Sequence, residues 1–158
     1  MTLNIQETVF ATKVNSGKER LTFAAESFRY MRIEEHVFHC MGSLCSDYDG
    51  GLWEYYRLSN GGWYIAPSQD EEDQLLHMEV AGNYFSGEVS PDAAGIICCM
   101  FVLCALNAQA YDYAVKETDP DKKKTYMELN EYLHDTYHQL REFALDHKEC
   151  AMIFRAID

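Results

Sequence analysis

Apolar and polar positions alternate along this chain with periods that change where turn and cap residues fall. Between Arg32 and Cys45, the residues Ile33, Val37, Cys40, Met41 and Leu44 recur at helical spacing on one face. That spacing predicts a helix, with a shorter one ahead of it over residues 20–32. Two aromatic runs, Leu52 to Leu58 and Gly62 to Ala66, then flank Asn60-Gly61. Asn-Gly in that position predicts a hairpin of strands 52–59 and 62–67, because a type I′ turn needs positive φ at both central residues. Farther along, Leu76, Met78 and Val80 alternate with His77 and Glu79, the pattern of a half-buried third strand. Gly82 to Gly87 reads as a loop or short extension, and a meander of at least three antiparallel strands is the simplest arrangement.

The second half is helical in period. Ser90-Pro91-Asp92 supplies a serine cap, a proline already set to helical φ, and an acid against the positive end of the helix dipole. The stretch from Ala93 to Leu106 is apolar nearly all round, which places this helix in the centre of the core, ending near residues 116–118. Asp119-Pro120-Asp121 repeats the start signal for another long helix, running to about Asp146. Its apolar stripe is Tyr126, Leu129, Leu133, Tyr137, Leu140 and Ala144. A last amphipathic turn or two is expected over Cys150 to Ile157. The fold class read from these elements is α+β: a small antiparallel sheet of three to four strands packed with several helices, in a single domain over residues 1–158.

Composition narrows the class further. A chain of 158 residues with 47% hydrophobic content can bury roughly 70% of its unfolded surface, so it needs neither disulfides nor metal for stability. The start, Met1 to Glu7, shows no basic segment followed by an apolar one, and Ala93 to Leu106 is shorter than a membrane span. A cytoplasmic protein is therefore expected, with no membrane partner. The six cysteines include no Cys-x-x-Cys pair and three stand in one apolar run, which favours buried free thiols over disulfides.

The net charge of −13 is unevenly spread. Residues 36–95 hold ten acids against the single base Arg57, including the run Asp70-Glu71-Glu72-Asp73. Such an acidic middle repels nucleic acid and steers basic protein surfaces, although acidity also simply keeps an aromatic-rich chain soluble.

Few residues suggest chemistry. His134 and His138 stand four apart on a helix, but zinc needs a third protein ligand, and Glu131, Asp135 and Glu142 read as solvated-face residues. A thiol nucleophile, Cys45 or Cys150, lacks any visible activating partner. The pairs Asp47/Asp49 and Glu88/Asp92 fit turn and helix-start roles better than acid–base catalysis. Lys122-Lys123-Lys124 is too short a patch to hold DNA. No catalytic, cofactor-binding or metal-binding residue is assigned. The hairpin is apolar on both faces: one must pack on the long helices, and the other is covered by the N-terminal segment or open to a partner. A partner surface is therefore expected at the acidic loop Asp70, Glu71, Glu72 and Asp73, joined by exposed hairpin residues Trp63 and Tyr64.

Three blocks of the sequence resemble the ArdB/KlcA antirestriction family. They are Gly50 to Pro67 (GGLWEYYRLSNGGWYIAP), Asn83 to Ile96 (NYFSGEVSPDAAGI), and the chain end from Leu140 through His147 to Asp158. The resemblance implies a small cytoplasmic protein of mobile elements that protects incoming DNA from type I restriction enzymes without catalysis. Its partner would be the restriction enzyme or an associated host factor, with no cofactor and no direct nucleic acid binding. As a DNA mimic the chain falls short. At one charge per roughly 1.7 Å of duplex, thirteen excess charges imitate only about 22 Å, and the acids sit largely in loops. Inhibition through protein contact or at the level of a host pathway is the expected mechanism. The alternatives are a small metal- or thiol-dependent enzyme, or an acidic partner of another mobile-element protein.

Overall fold

The computed structural model describes residues 7–29 and 32–158. The leader reading over Met1 to Gln6 and the helical expectation at Tyr30 and Met31 lie outside them. In chain order the elements are β1 (Ala11–Lys13), α1 (Gly17–Ser27), α2 (Ile33–Leu44), β2 (Trp53–Leu58), β3 (Trp63–Pro67), β4 (Leu76–Val80), β5 (Phe85–Val89), α3 (Pro91–Lys116), α4 (Pro120–Leu145) and α5 (Cys150–Ile157). The class is α+β, as the periodicities indicate, and the strand arrangement differs from a meander.

The Asn60-Gly61 hairpin forms as its turn chemistry dictates. Gly61 takes φ +93, Gly62 N–H donates to Asn60 Oδ1 at 3.1 Å, and Tyr56 stands opposite Tyr64 across the strands. β1 completes this sheet on the far side of β2, in the order β1-β2-β3. β4 does not extend it. It pairs instead with β5, over Leu76↔Val89 to Val80↔Phe85, as a separate two-stranded sheet. Residues read as a loop thus supply a strand, closed by a 3₁₀ turn at Ala81–Asn83.

The reason lies at the outer edge of β3, which α3 has already taken. Ile65 N–H points at Cys99 Sγ, and the Cys99 thiol donates back to Ile65 O, both at 3.5 Å. One turn earlier Gly95 lies against the same strand. A Cβ on Gly95 would stand 2.5 Å from Ala66 Cα and from Ile65 O, so only glycine allows the approach. An edge capped by a helix accepts no further strand.

α3 carries the core. Every residue from Ala93 to Met100 is buried, as are Val102, Leu103 and Leu106. At 26 residues the helix exceeds the 14-residue run seen in the sequence, and by length and composition it could cross a membrane. However, 67% of its most apolar window is buried inside the fold, the situation of a central core helix. Its cap is as read: Ser90 Oγ accepts from Ala93 N–H at 3.1 Å, with Pro91 at the first helical position. α4 starts likewise on Asp119 and buries Leu133, Thr136, Leu140 and Ala144.

The two faces of the hairpin meet different layers. Phe23 and Phe28 pack against Tyr55 and Trp63 on one side, with centroids 5.2–6.1 Å apart. On the other, Tyr56, Tyr64 and Phe143 form a stack at 4.7 and 5.5 Å. The N-terminal segment therefore covers the second face of the hairpin.

Candidate functional site

Of the six residues expected at a partner surface, the structure separates two from four. Trp63 is 3% exposed and Tyr64 2%, so the expectation that they face a partner is corrected. Both are core residues whose polar ends are satisfied from within. Trp63 Nε1–H donates to Tyr132 Oη at 3.0 Å, and Tyr132 in turn donates to Ser27 O at 2.6 Å. The Tyr64 hydroxyl donates to Asp92 Oδ1 at 2.7 Å. Burial, then the charge of Asp92, pushes the Tyr64 phenol well above its ordinary value, and Tyr56 is pushed up to about 12 chiefly by burial.

Asp70, Glu71, Glu72 and Asp73 are all exposed, on the loop between β3 and β4. The loop is internally braced. Gln69 Nε2–H donates to Glu71 O at 2.9 Å and also to Glu72 O, while Asp70 N–H donates to Gln74 Oε1 at 2.9 Å. It separates two clefts. One, of about 310 Å³, brings Asp70 together with Asp47 and Asp49, Tyr48 and the Gly50-Gly51 turn. The other, of about 250 Å³, places Glu72 and Asp73 beside Ser90, Lys148 and Glu149. Asp47 is partly structural here, since its Oδ2 accepts His77 N–H at 3.1 Å.

Behind the second cleft runs a polar network that the spacing of residues did not reveal. Asp92, at the start of α3, accepts from Tyr64 on one oxygen and from His147 Nε2–H on the other, at 2.8 Å. Glu149 N–H donates to His147 Nδ1 at 3.0 Å, which places the ring proton on Nε2. The Glu149 carboxylate then accepts both the N–H and the hydroxyl of Ser90. The His147 side chain is 7% exposed and that of Asp92 30%. A Tyr–Asp–His row could relay protons in an open site. Here each member is held by the next, and the row ties the hairpin, the start of α3 and the α4–α5 connection together. Asp92 was legible as a helix-start acid, and the aromatic run made Tyr64 legible. Nothing in the spacing linked either to His147.

The remaining candidates stay apart. His134 and His138 are exposed with ring centroids 4.4 Å apart. No group of three His, Cys, Asp or Glu side chains placed to hold a metal occurs among the described residues. All six cysteines are free. Cys104, read as a core thiol, is exposed, because it falls on the outer side of α3. Burial pushes the Cys45 thiol up, the opposite of what a nucleophile needs, and pushes Cys99 to about 12. Lys122, Lys123 and Lys124 are exposed on the first turns of α4.

Comparison with known proteins gives a consistent result. Residues 46–158 match the model of the antirestriction protein family. The antirestriction protein KlcA of Escherichia coli is 42% identical over 161 aligned positions, spanning 99% of this chain and 98% of that protein. YafX, an uncharacterized protein of Escherichia coli K12, is 31% identical over 89% of this chain and 83% of its own length. A solved structure superposes with a TM-score of 0.77 at 39% identity, covering 99% of this chain and all of that one. It comes from work on KlcA and ArdB, described as a novel fold with antirestriction activity against type I DNA restriction systems in vivo but not in vitro.

Proposed function

The chain belongs to the antirestriction protein family, and from that membership we propose that it relieves type I restriction of incoming DNA as a non-enzymatic inhibitor. The observation that carries the reading is near-complete alignment, at 42% identity, with a protein named for this activity. Residues 1–158 act as one antirestriction domain, in keeping with a hydrophobic core that draws on every helix and every strand pair.

Inhibition runs through protein contact at the exposed loop Asp70–Asp73 and the acidic clefts beside it. Two observations favour this over imitation of DNA. The exposed acids of the middle segment fall in three separate places, the loop Asp70–Asp73, the turn of Asp47 and Asp49, and the β4–β5 hairpin with Glu79 and Glu88, where a mimic needs long evenly spaced rows. The related proteins act in vivo but not in vitro. Any inhibitor that binds the enzyme directly, at the DNA channel or elsewhere, would need only the purified enzyme, whereas a protein working through a host factor needs the cell. The partner is accordingly a host factor that governs the restriction enzyme, or the enzyme together with such a factor, presenting a basic surface.

The test is the plating efficiency of unmodified phage on cells with a type I restriction system, with and without this protein expressed. The expected result is a rise of orders of magnitude. An unchanged efficiency, with soluble protein verified in the same cells, would remove the function.

A further inference from the structure

Tyr84 sits at the tip of the β4–β5 hairpin, 97% exposed, with φ at +53 and ψ at +32. Both facts are unfavourable to the fold by themselves. The left-handed region suits glycine, and a bulky side chain there is strained by about 1 kcal/mol or more. A tyrosine ring in water also forgoes burial. The position itself is ordinary: the residue closes the 3₁₀ turn Ala81–Asn83, donating its N–H to Ala81 O at 3.2 Å, a role that glycine or asparagine fills without strain. Among the described residues the Tyr84 ring takes part in no ring–ring, cation–π or side-chain hydrogen-bonded contact.

The tip is also tied to the rest of the fold. Val80 and Phe85, on either side of the turn, are buried at 7% and 3%. Asn83 Nδ2–H donates to Ala156 O at 2.7 Å, pinning the turn to α5. A strained residue held in place by its surroundings, with its ring wholly outside the fold, has the geometry of a preorganised anchor. The open face behind it carries the exposed acids Glu79 and Glu88, with His77 3.3 Å from Glu79 and 3.2 Å from Ser86, while one exposed base, Arg155 of α5, stands 5.7 Å from the Phe85 ring.

We infer that Tyr84 is an anchor residue of the inhibitory interface, seating its ring in an apolar pocket of a partner protein whose rim carries basic side chains. The assignment rests on the antirestriction reading and gives it a second contact besides the acidic loop. Buried tyrosines at interface centres dominate binding because they bring large contact area with only two torsions to fix.

The experiment compares wild type, Tyr84→Phe and Tyr84→Gly in the phage plating assay and in thermal melting of the purified proteins. Tyr84→Gly should melt higher than wild type, because it relieves the left-handed strain, yet lose protection by at least about tenfold. Tyr84→Phe keeps the ring and should retain protection. Full protection by Tyr84→Gly would overturn the inference while leaving the antirestriction reading intact. A Tyr84→Gly protein that protects poorly and also melts well below wild type would overturn it too, by showing that the ring supports the fold. If wild type itself gives no protection, the antirestriction reading falls and this inference with it.

Discussion

Tyr64 joins two effects that pull on the same atom. Its ring is stacked between Tyr56 and Phe143, and its hydroxyl is a charge-assisted donor to Asp92. Tyr64→Phe keeps the stack and removes the donor, leaving one Asp92 oxygen without its partner. The expected loss is about 2 kcal/mol of unfolding free energy by urea titration; an unchanged midpoint would show that water replaces the hydroxyl at no cost. The same residues set the response to alkali. Tyr56 and Tyr64 both have folded-state values above that of an exposed phenol, so they favour the fold while neutral. That contribution is complete below about pH 10. It is lost as pH climbs towards about 12, where Tyr56 ionises in the folded state. Unfolding midpoints should therefore fall between those limits, with the two tyrosines ionising later than the exposed ones. Tyrosine difference absorbance checks this, and a single titration at the ordinary phenol value would contradict it.

At the scale of elements, the packing of α3 on β3 decides the topology. Gly95 is what lets the helix lie on the strand, and its missing Cβ faces backbone atoms that cannot move aside. Gly95→Leu should leave little soluble protein, or cost at least about 3 kcal/mol where it does fold; a soluble variant melting with wild type would contradict this packing account. The helices were legible because their signals are local: Ser90-Pro91 and Asp119-Pro120 start α3 and α4, and the Asn60-Gly61 turn sets the hairpin. The pairing of β4 was not, because it follows from Cys99 and Gly95 occupying the edge of β3, a contact across some thirty residues that no periodicity carries. β5 escaped for a related reason. Ser86 and Gly87 dilute its strand pattern, and the end of the Met152 side chain of α5 lies against Gly87.

Over the whole molecule, only one of the two stretches expected at a partner surface, the acidic loop, faces solvent. The aromatic hairpin of residues 50–67, with Trp63 and Tyr64, does not. It is mostly core, since the run that makes a strand pair stable also makes it worth burying on both faces. The loop Asp70–Asp73, expected at a partner surface from its charge, is exposed and separates two clefts. The network from Tyr64 through Asp92 and His147 to Ser90 lies directly beneath, so the loop projects from a braced wall. Long-range charge does not distinguish this site, because screening at physiological salt limits each acid to about 8 Å. What matters is the local density of carboxylates that a basic partner surface would meet. The most direct measurement is the plating efficiency conferred by a variant with Asp70→Asn, Glu71→Gln, Glu72→Gln and Asp73→Asn together, set against wild type and against its own melting temperature. The account predicts that protection falls at least about tenfold while the melting temperature holds. Full protection by that folded variant would contradict it.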